Sequence, residues 1–174
     1  MAFASKIVAL FQLAKQKPDS AHTALFEAFR GQVYATAYSM TRNREDALDC
    51  VQETMLRFYQ NLDQLDPHGA ITAWIRKVTV RVSLDLLEKR NRELGSDLDP
   101  ECLAETPTPE TLAILDVLKT LTHRERAAFL LVYQWGYSTA EAGICLAISP
   151  GTVKTLCFRA RQKLRERWGG TYGP

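Results

Sequence analysis

Apolar residues recur along this chain at three- and four-residue intervals, and strand-like alternation is nowhere sustained. The pattern predicts helices nearly throughout. Phe3, Ile7, Leu10, Phe11 and Ala14 form one stripe of an N-terminal amphipathic helix. Pro18 ends it, and Asp19 or Ser20 is placed to cap the next. Leu25, Phe26, Phe29, Val33, Ala37 and Met40 line the second helix. Asn43 offers an N-cap for a third, whose expected inward stripe is Leu48, Val51, Met55, Tyr59 and Leu62. Asp66-Pro67-His68-Gly69 has turn composition. A fourth helix is expected from about Ile71 to Arg90, with Trp74, Val78, Val82 and Leu86 inward.

From Asn91 to Thr111 the periodicity stops and Pro100, Pro107 and Pro109 appear. That segment reads as a linker. Leu112, Leu115 and Leu118 then suggest another helix. Thr122 with Glu125 and Ser138 with Glu141 have capping-box spacing, and Gly136 stands where the helix between them must stop. Ser149-Pro150 opens a last helix that buries Val153, Cys157, Ala160 and Leu164. The expectation is an all-α chain of two small helical domains joined by an acidic linker. The boundaries are 1–18 for the N-terminal helix, 19–90 for the first domain, 91–111 for the linker, 112–168 for the second domain and 169–174 for a tail.

Charge sharpens this division. The net charge of all 174 residues is +2, but residues 1–90 carry +2, 91–111 carry −5 and 112–174 carry +5. Lys154, Arg159, Arg161, Lys163, Arg165 and Arg167 crowd the last helix against the single acid Glu166. A short helix, a turn near Ala147 and a longer basic helix make a helix-turn-helix candidate, the footprint of a nucleic-acid binder. Cys50, Cys102, Cys145 and Cys157 lack C-x-x-C spacing, and the three histidines are scattered, so no metal site is expected. Cys50, Cys145 and Cys157 sit among apolar residues and read as core side chains of a reduced, cytoplasmic protein. No apolar run approaches the roughly 20 residues of a membrane span. With no nucleophile–base pair or phosphate loop in view, no catalytic residue and no cofactor is expected.

Two segments resemble a known family. Glu45-Asp46-Ala47-Leu48-Asp49-Cys50-Val51-Gln52-Glu53-Thr54 is similar to the E-D-A-x-D-x-V-Q-E-T core of domain 2 in bacterial sigma factors, and Ala73-Trp74-Ile75 to the stretch opening its promoter-melting helix. Ile148-Ser149-Pro150-Gly151-Thr152-Val153-Lys154 and Arg159-Ala160-Arg161-Gln162-Lys163-Leu164 resemble domain 4. The pair, in this order, resembles the extracytoplasmic-function (ECF) group of the sigma-70 family. The resemblance implies a factor that binds core RNA polymerase and promoter DNA, and that an anti-sigma factor restrains. Asp46, Asp49, Gln52 and Glu53 would dock on the polymerase. Read from the residues alone, they are a solvated acidic face before they are a docking site. Trp74, Arg76, Lys77 and Arg81 would meet the −10 element, although Trp74 also lies on an apolar stripe. Ser149, Gly151, Thr152, Lys154, Thr155, Phe158, Arg159, Arg161 and Gln162 would meet the −35 element, Phe158 being open to an edge-of-core reading.

Some positions depart from the family pattern. Thr122 replaces a proline, Glu141-Ala142-Gly143 a glutamate-isoleucine-alanine, Ala147 the turn glycine, Leu156 an arginine and Arg81 an asparagine. Propensity alone expects Gly143 to weaken its helix by about 1 kcal/mol relative to alanine. Two other readings remain open. One is a sigma mimic that binds only an anti-sigma factor. The other is a LuxR-like regulator, which Leu121-Thr122-His123-Arg124-Glu125-Arg126 resembles.

Overall fold

The computed structural model describes residues 2–16, 18–65, 71–94 and 118–168. Among these residues the regular elements are all helical. The chain divides into two units, Met1–Ser83 and Leu84–Pro174, and the boundary falls inside a helix. Several earlier expectations lie outside the described residues: the turn at 66–69, the linker from residue 95 onward, Cys102, Leu112, Leu115 and the tail at 169–174.

The first unit holds α1 (Ala2–Gln16), α2 (Pro18–Thr41), α3 (Arg44–Gln60), a short 3-10 turn (Leu62–Gln64) and the start of α4 (Ile71–Leu94). Proline at the first position of α2 forfeits an N–H that has no partner there in any helix. Between α2 and α3 the chain turns at Arg42, in the left-handed region with φ 58°. Asn43 then caps α3, its side chain accepting the Asp46 N–H at 3.1 Å.

Phe58 is fully buried, with the ring of Phe29 at 5.8 Å and that of Phe11 at 6.3 Å, both edge-on. Around it pack Leu25 and Val33 from α2, Val51 and Met55 from α3, Ile71 and Ile75 from α4, and Ile7 and Ala14 from α1. The N-terminal helix is thus part of this core. Burying a ring such as Phe11 is worth about 1.5–3 kcal/mol.

Two expected stripes shift. Leu48 is 36% exposed rather than inward, its place taken by Ala47, Cys50, Thr54 and Phe58. In α4 the buried residues are Ile71, Ile75, Thr79, Val80, Val82, Ser83, Leu84 and Leu87, while Trp74, Val78 and Leu86 are half-buried. The reason is chemical. Thr79 and Ser83 donate their hydroxyls to Ile75 O at 2.8 Å and Thr79 O at 2.9 Å, so they bury without orphaned groups. A count of apolar positions does not register them.

The second unit contains the end of α4, the segment from Leu118, α5 (His123–Phe129), a wider π turn (Leu130–Gln134), α6 (Thr139–Leu146) and α7 (Pro150–Trp168). Both expected capping boxes are present, at Thr122/Glu125 and Ser138/Glu141. Gly136 stops the α5 segment with φ +69°. The π turn passes the Trp135 N–H to Leu130 O and leaves Val132 and Trp135 half-buried. Val153, Cys157, Ala160 and Leu164 are buried along α7, as their spacing predicts. α7 packs on both α5 and α6.

Candidate nucleic-acid interface and docking face

The α6–α7 corner depends on two residues with opposite requirements. Ala147 adopts the left-handed conformation, φ 54° and ψ 43°, as the C-cap of α6. Ile148 then folds back so that its N–H meets Gly143 O at 3.0 Å. A Cβ on Gly143 would stand 2.8 Å from Ile148 O, closer than any side chain tolerates. Gly143 is therefore what lets the turn close, which corrects the propensity-based expectation. Ala147 carries the strain in its place.

Ser149 caps α7. Its hydroxyl accepts the Thr152 N–H at 3.1 Å and pairs with the Thr152 hydroxyl at 2.8 Å. Thr155 donates to Gly151 O at 3.1 Å. These three hydroxyls are engaged in building the helix start. Lys154, Phe158, Arg159, Arg161 and Gln162 are all exposed beyond it. Phe158 is 67% exposed, so it is not at the edge of the core. An aromatic ring standing in water among cations on one side of a helix suits contact with DNA methyl groups and sugars. Gly151 is exposed and a Cβ there would meet nothing nearer than Ser149 Oγ at 3.7 Å.

On α3 the structure separates the four docking candidates. Asp49 and Gln52 are exposed and Glu53 is half-exposed. Asp46 is only 4% exposed, so it does not belong to the open face. It occupies the first turn, where a carboxylate suits the positive helix end, and its N–H is taken by the Asn43 cap. Leu48 and Leu56, 36% and 52% exposed, stand four residues either side of Gln52. The face is thus a mixed apolar and acidic strip. Leu56 was missed because nothing in the spacing distinguishes an exposed leucine from a core one. Glu53 also pairs with Arg57 of its own helix at 2.7 Å, which offsets part of the charge.

On α4, Arg76, Lys77 and Arg81 are half-exposed within a turn and a half of one another. Trp74 packs on the first core, its ring 6.1 Å from Phe58.

In the second unit two charged residues are buried: Arg126, to which sequence reasoning gave no role, and Glu125, which it read only as part of a helix cap. Arg126 is 1% exposed and reaches Leu118 O at 3.3 Å through Nε. Glu125, 4% exposed, accepts the Thr122 N–H at 2.9 Å and Lys163 Nζ at 2.6 Å on one oxygen. Burial pushes its carboxyl upward, but the hydrogen bonds and charge of Lys163 and the Thr122 bonds outweigh that and hold it below its ordinary value. The capping-box spacing pointed to Glu125, but no sequence signal pointed to Lys163.

Among the described residues no group of three His, Cys, Asp or Glu is placed to hold a metal ion. Nor is any helix among them long and apolar enough to cross a membrane.

A helical unit carrying an acidic and apolar strip, followed by a helix-turn-helix unit with a cationic outer face, defines a class of two-part DNA-binding transcription proteins. Comparison with known sequences places the chain within that class. Residues 25–93 match the family described as Sigma-70 region 2 and residues 111–164 match Sigma-70, region 4. The ECF RNA polymerase sigma factor EcfG of Rhodopseudomonas palustris is 32% identical over 140 residues, covering 75% of each chain. The ECF RNA polymerase sigma factor SigE of Mycolicibacterium smegmatis is 32% identical over 147 residues, 78% of this chain, and this chain spans 56% of its length. In fold, the chain is similar to the sigma factor RpoE solved with the anti-sigma factor NepR from Bartonella quintana. That match has a TM-score of 0.67 at 22% identity, over 82% of this chain and 92% of the other. The protein belongs to the sigma-70 family, in its ECF group.

Proposed function

We propose that this chain directs bacterial core RNA polymerase to promoters, as a cytoplasmic initiation factor with no catalytic residue of its own. The observation that carries the reading is the outer face of α7. There Lys154, Phe158, Arg159, Arg161 and Gln162 are exposed while Val153, Cys157, Ala160 and Leu164 are buried behind them. That division leaves one face of a capped helix for the major groove at the −35 element, with Ser149, Gly151, Thr152 and Thr155 shaping its entry.

The docking face on α3 is Asp49, Gln52 and Glu53, with Leu48 and Leu56 supplying apolar contact beside them. A strip of this kind suits a basic helical partner, the carboxylates steering and the leucines holding. Arg76, Lys77 and Arg81 meet the unpaired strand at the −10 element, and Trp74 supports them from the core. An anti-sigma factor is the natural restraint, in keeping with the complex in which the RpoE relative was solved.

The test is run-off transcription by core polymerase with the purified chain and a pool of genomic promoter fragments. Specific transcripts should be lost with Asp49→Arg, through core binding, and with Arg159→Glu, through DNA. If the chain binds core polymerase yet starts no transcript, the mimic reading replaces this one. If it does not bind core polymerase, a stand-alone regulator does.

A further inference from the structure

Lys163 sits within a basic run and by composition is one more phosphate ligand. The structure sets it apart. Arg161 and Gln162 are exposed, but Lys163 is half-buried with Nζ 2.6 Å from Glu125 Oε2. At 100° per residue, Lys163 lies about 200° round the helix from Arg161, away from the Lys154–Phe158–Arg161 row.

Its partner is held rigidly. The Oε2 atom that receives Lys163 also accepts the Thr122 N–H at 2.9 Å, and the Thr122 hydroxyl takes the Glu125 N–H. Glu125 therefore has a fixed position at the start of α5, and Lys163 crosses 38 residues of sequence to reach it. The next residue, Arg126, reaches Leu118 O at 3.3 Å.

Resting on the DNA-reading role of α7 above, we propose that Glu125 is a positioning residue for promoter reading: through Lys163 it fixes the register of α7 on α5, and Lys163 is a strut rather than a phosphate ligand. A helix slipped by one residue moves 1.5 Å and turns 100°. Base-edge hydrogen bonds tolerate a few tenths of an ångström. Phosphate contacts to long side chains are more forgiving and carry no sequence information. Losing the strut therefore costs discrimination more than general affinity.

The experiment uses the full chain bound to core polymerase. Duplexes selected by the wild type from a randomised pool are compared with copies scrambled at the −35 element, across a salt series. The variants are Lys163→Met, Lys163→Arg, Glu125→Gln and, as the phosphate-ligand reference, Arg159→Met. Lys163→Met and Glu125→Gln are expected to lower the preference for the selected −35 sequence about tenfold, the size of one mismatched base pair. The double variant should do no worse than either single one. Lys163→Met should leave the slope of log K against log salt unchanged, whereas Arg159→Met should reduce it by about 0.9, one phosphate's worth. Lys163→Arg keeps the ion pair, so it should retain both slope and preference even if Lys163→Met proves too unstable to assay. A slope that falls by about 0.9 in Lys163→Met, or a preference lost in Lys163→Arg, would overturn the inference. So would an unchanged preference in Glu125→Gln. A wild type that shows no −35 preference would instead overturn the proposed function on which this inference rests.

Discussion

Alanine in place of Gly143 sets two physical effects against each other with opposite signs. Helix propensity favours alanine by about 1 kcal/mol in the middle of α6. Against it, the new Cβ would lie 2.8 Å from Ile148 O, 3.5 Å from Pro150 N and 3.6 Å from Ser149 C. All three are backbone atoms, so no side chain can swing aside. Ordinary contact at 3.4 Å or more requires the turn to retreat by about 0.6 Å. That retreat pulls on the Ile148 N–H bond to Gly143 O and on the cap that starts α7. Overpacking of this kind costs roughly 1–3 kcal/mol, and a clash against backbone belongs at the upper end. The net expectation is a loss of about 1–2 kcal/mol, which lowers the melting midpoint of a unit of this size by roughly 4–16 °C. Calorimetry on the full chain checks it. Gly31→Ala serves as the control, since a Cβ there meets nothing within 4 Å and propensity acts alone. Gly31→Ala should melt higher than wild type and Gly143→Ala lower. If Gly143→Ala also melts higher, the tight-turn reasoning is wrong.

Three further outcomes follow from the same geometry. Ala147→Gly should relieve the left-handed strain at φ 54° and stabilise the second unit by about 1 kcal/mol, read as a raised midpoint. Glu125 is held below its ordinary carboxylate value of 4.5, so its contribution to stability is fully present above that pH and is lost as pH falls through the lower folded value. The stability gap between wild type and Lys163→Met, measured by denaturant titration, should accordingly be constant near neutrality and narrow as the pH is taken below 4.5. Cys50 is pushed up to about 11 chiefly by burial, partly opposed by a hydrogen bond with Ser83, so its thiol should resist alkylation at pH 8 until denaturant is added.

Much of the architecture was legible in the sequence because it depends on local chemistry. The two capping boxes, Asn43 at the head of α3, Gly136 as a stop, and the buried α7 stripe were each read from spacing. A side chain that bonds its own helix end needs no distant partner. The same holds for the outer face of α7, which is what remains once that stripe is assigned. The α4 register was read one row off because Thr79 and Ser83 enter the core by bonding their own backbone.

What only the tertiary structure decided are matters of which distant atoms meet. Asp46 and Asp49 look alike at three-residue spacing, yet one is buried beside the Asn43 cap and the other is exposed. Lys163 looks like its basic neighbours until Glu125, far away in sequence, is seen to hold it. Gly143 looks like a defect until Ile148 O is found where its side chain would be. Local propensities and caps are set by bonds within a turn or two, so the sequence by itself determined where helices begin, end and turn an apolar side. Burial of a charge or the necessity of a glycine depends on atoms brought close by packing, and only the folded chain supplies those.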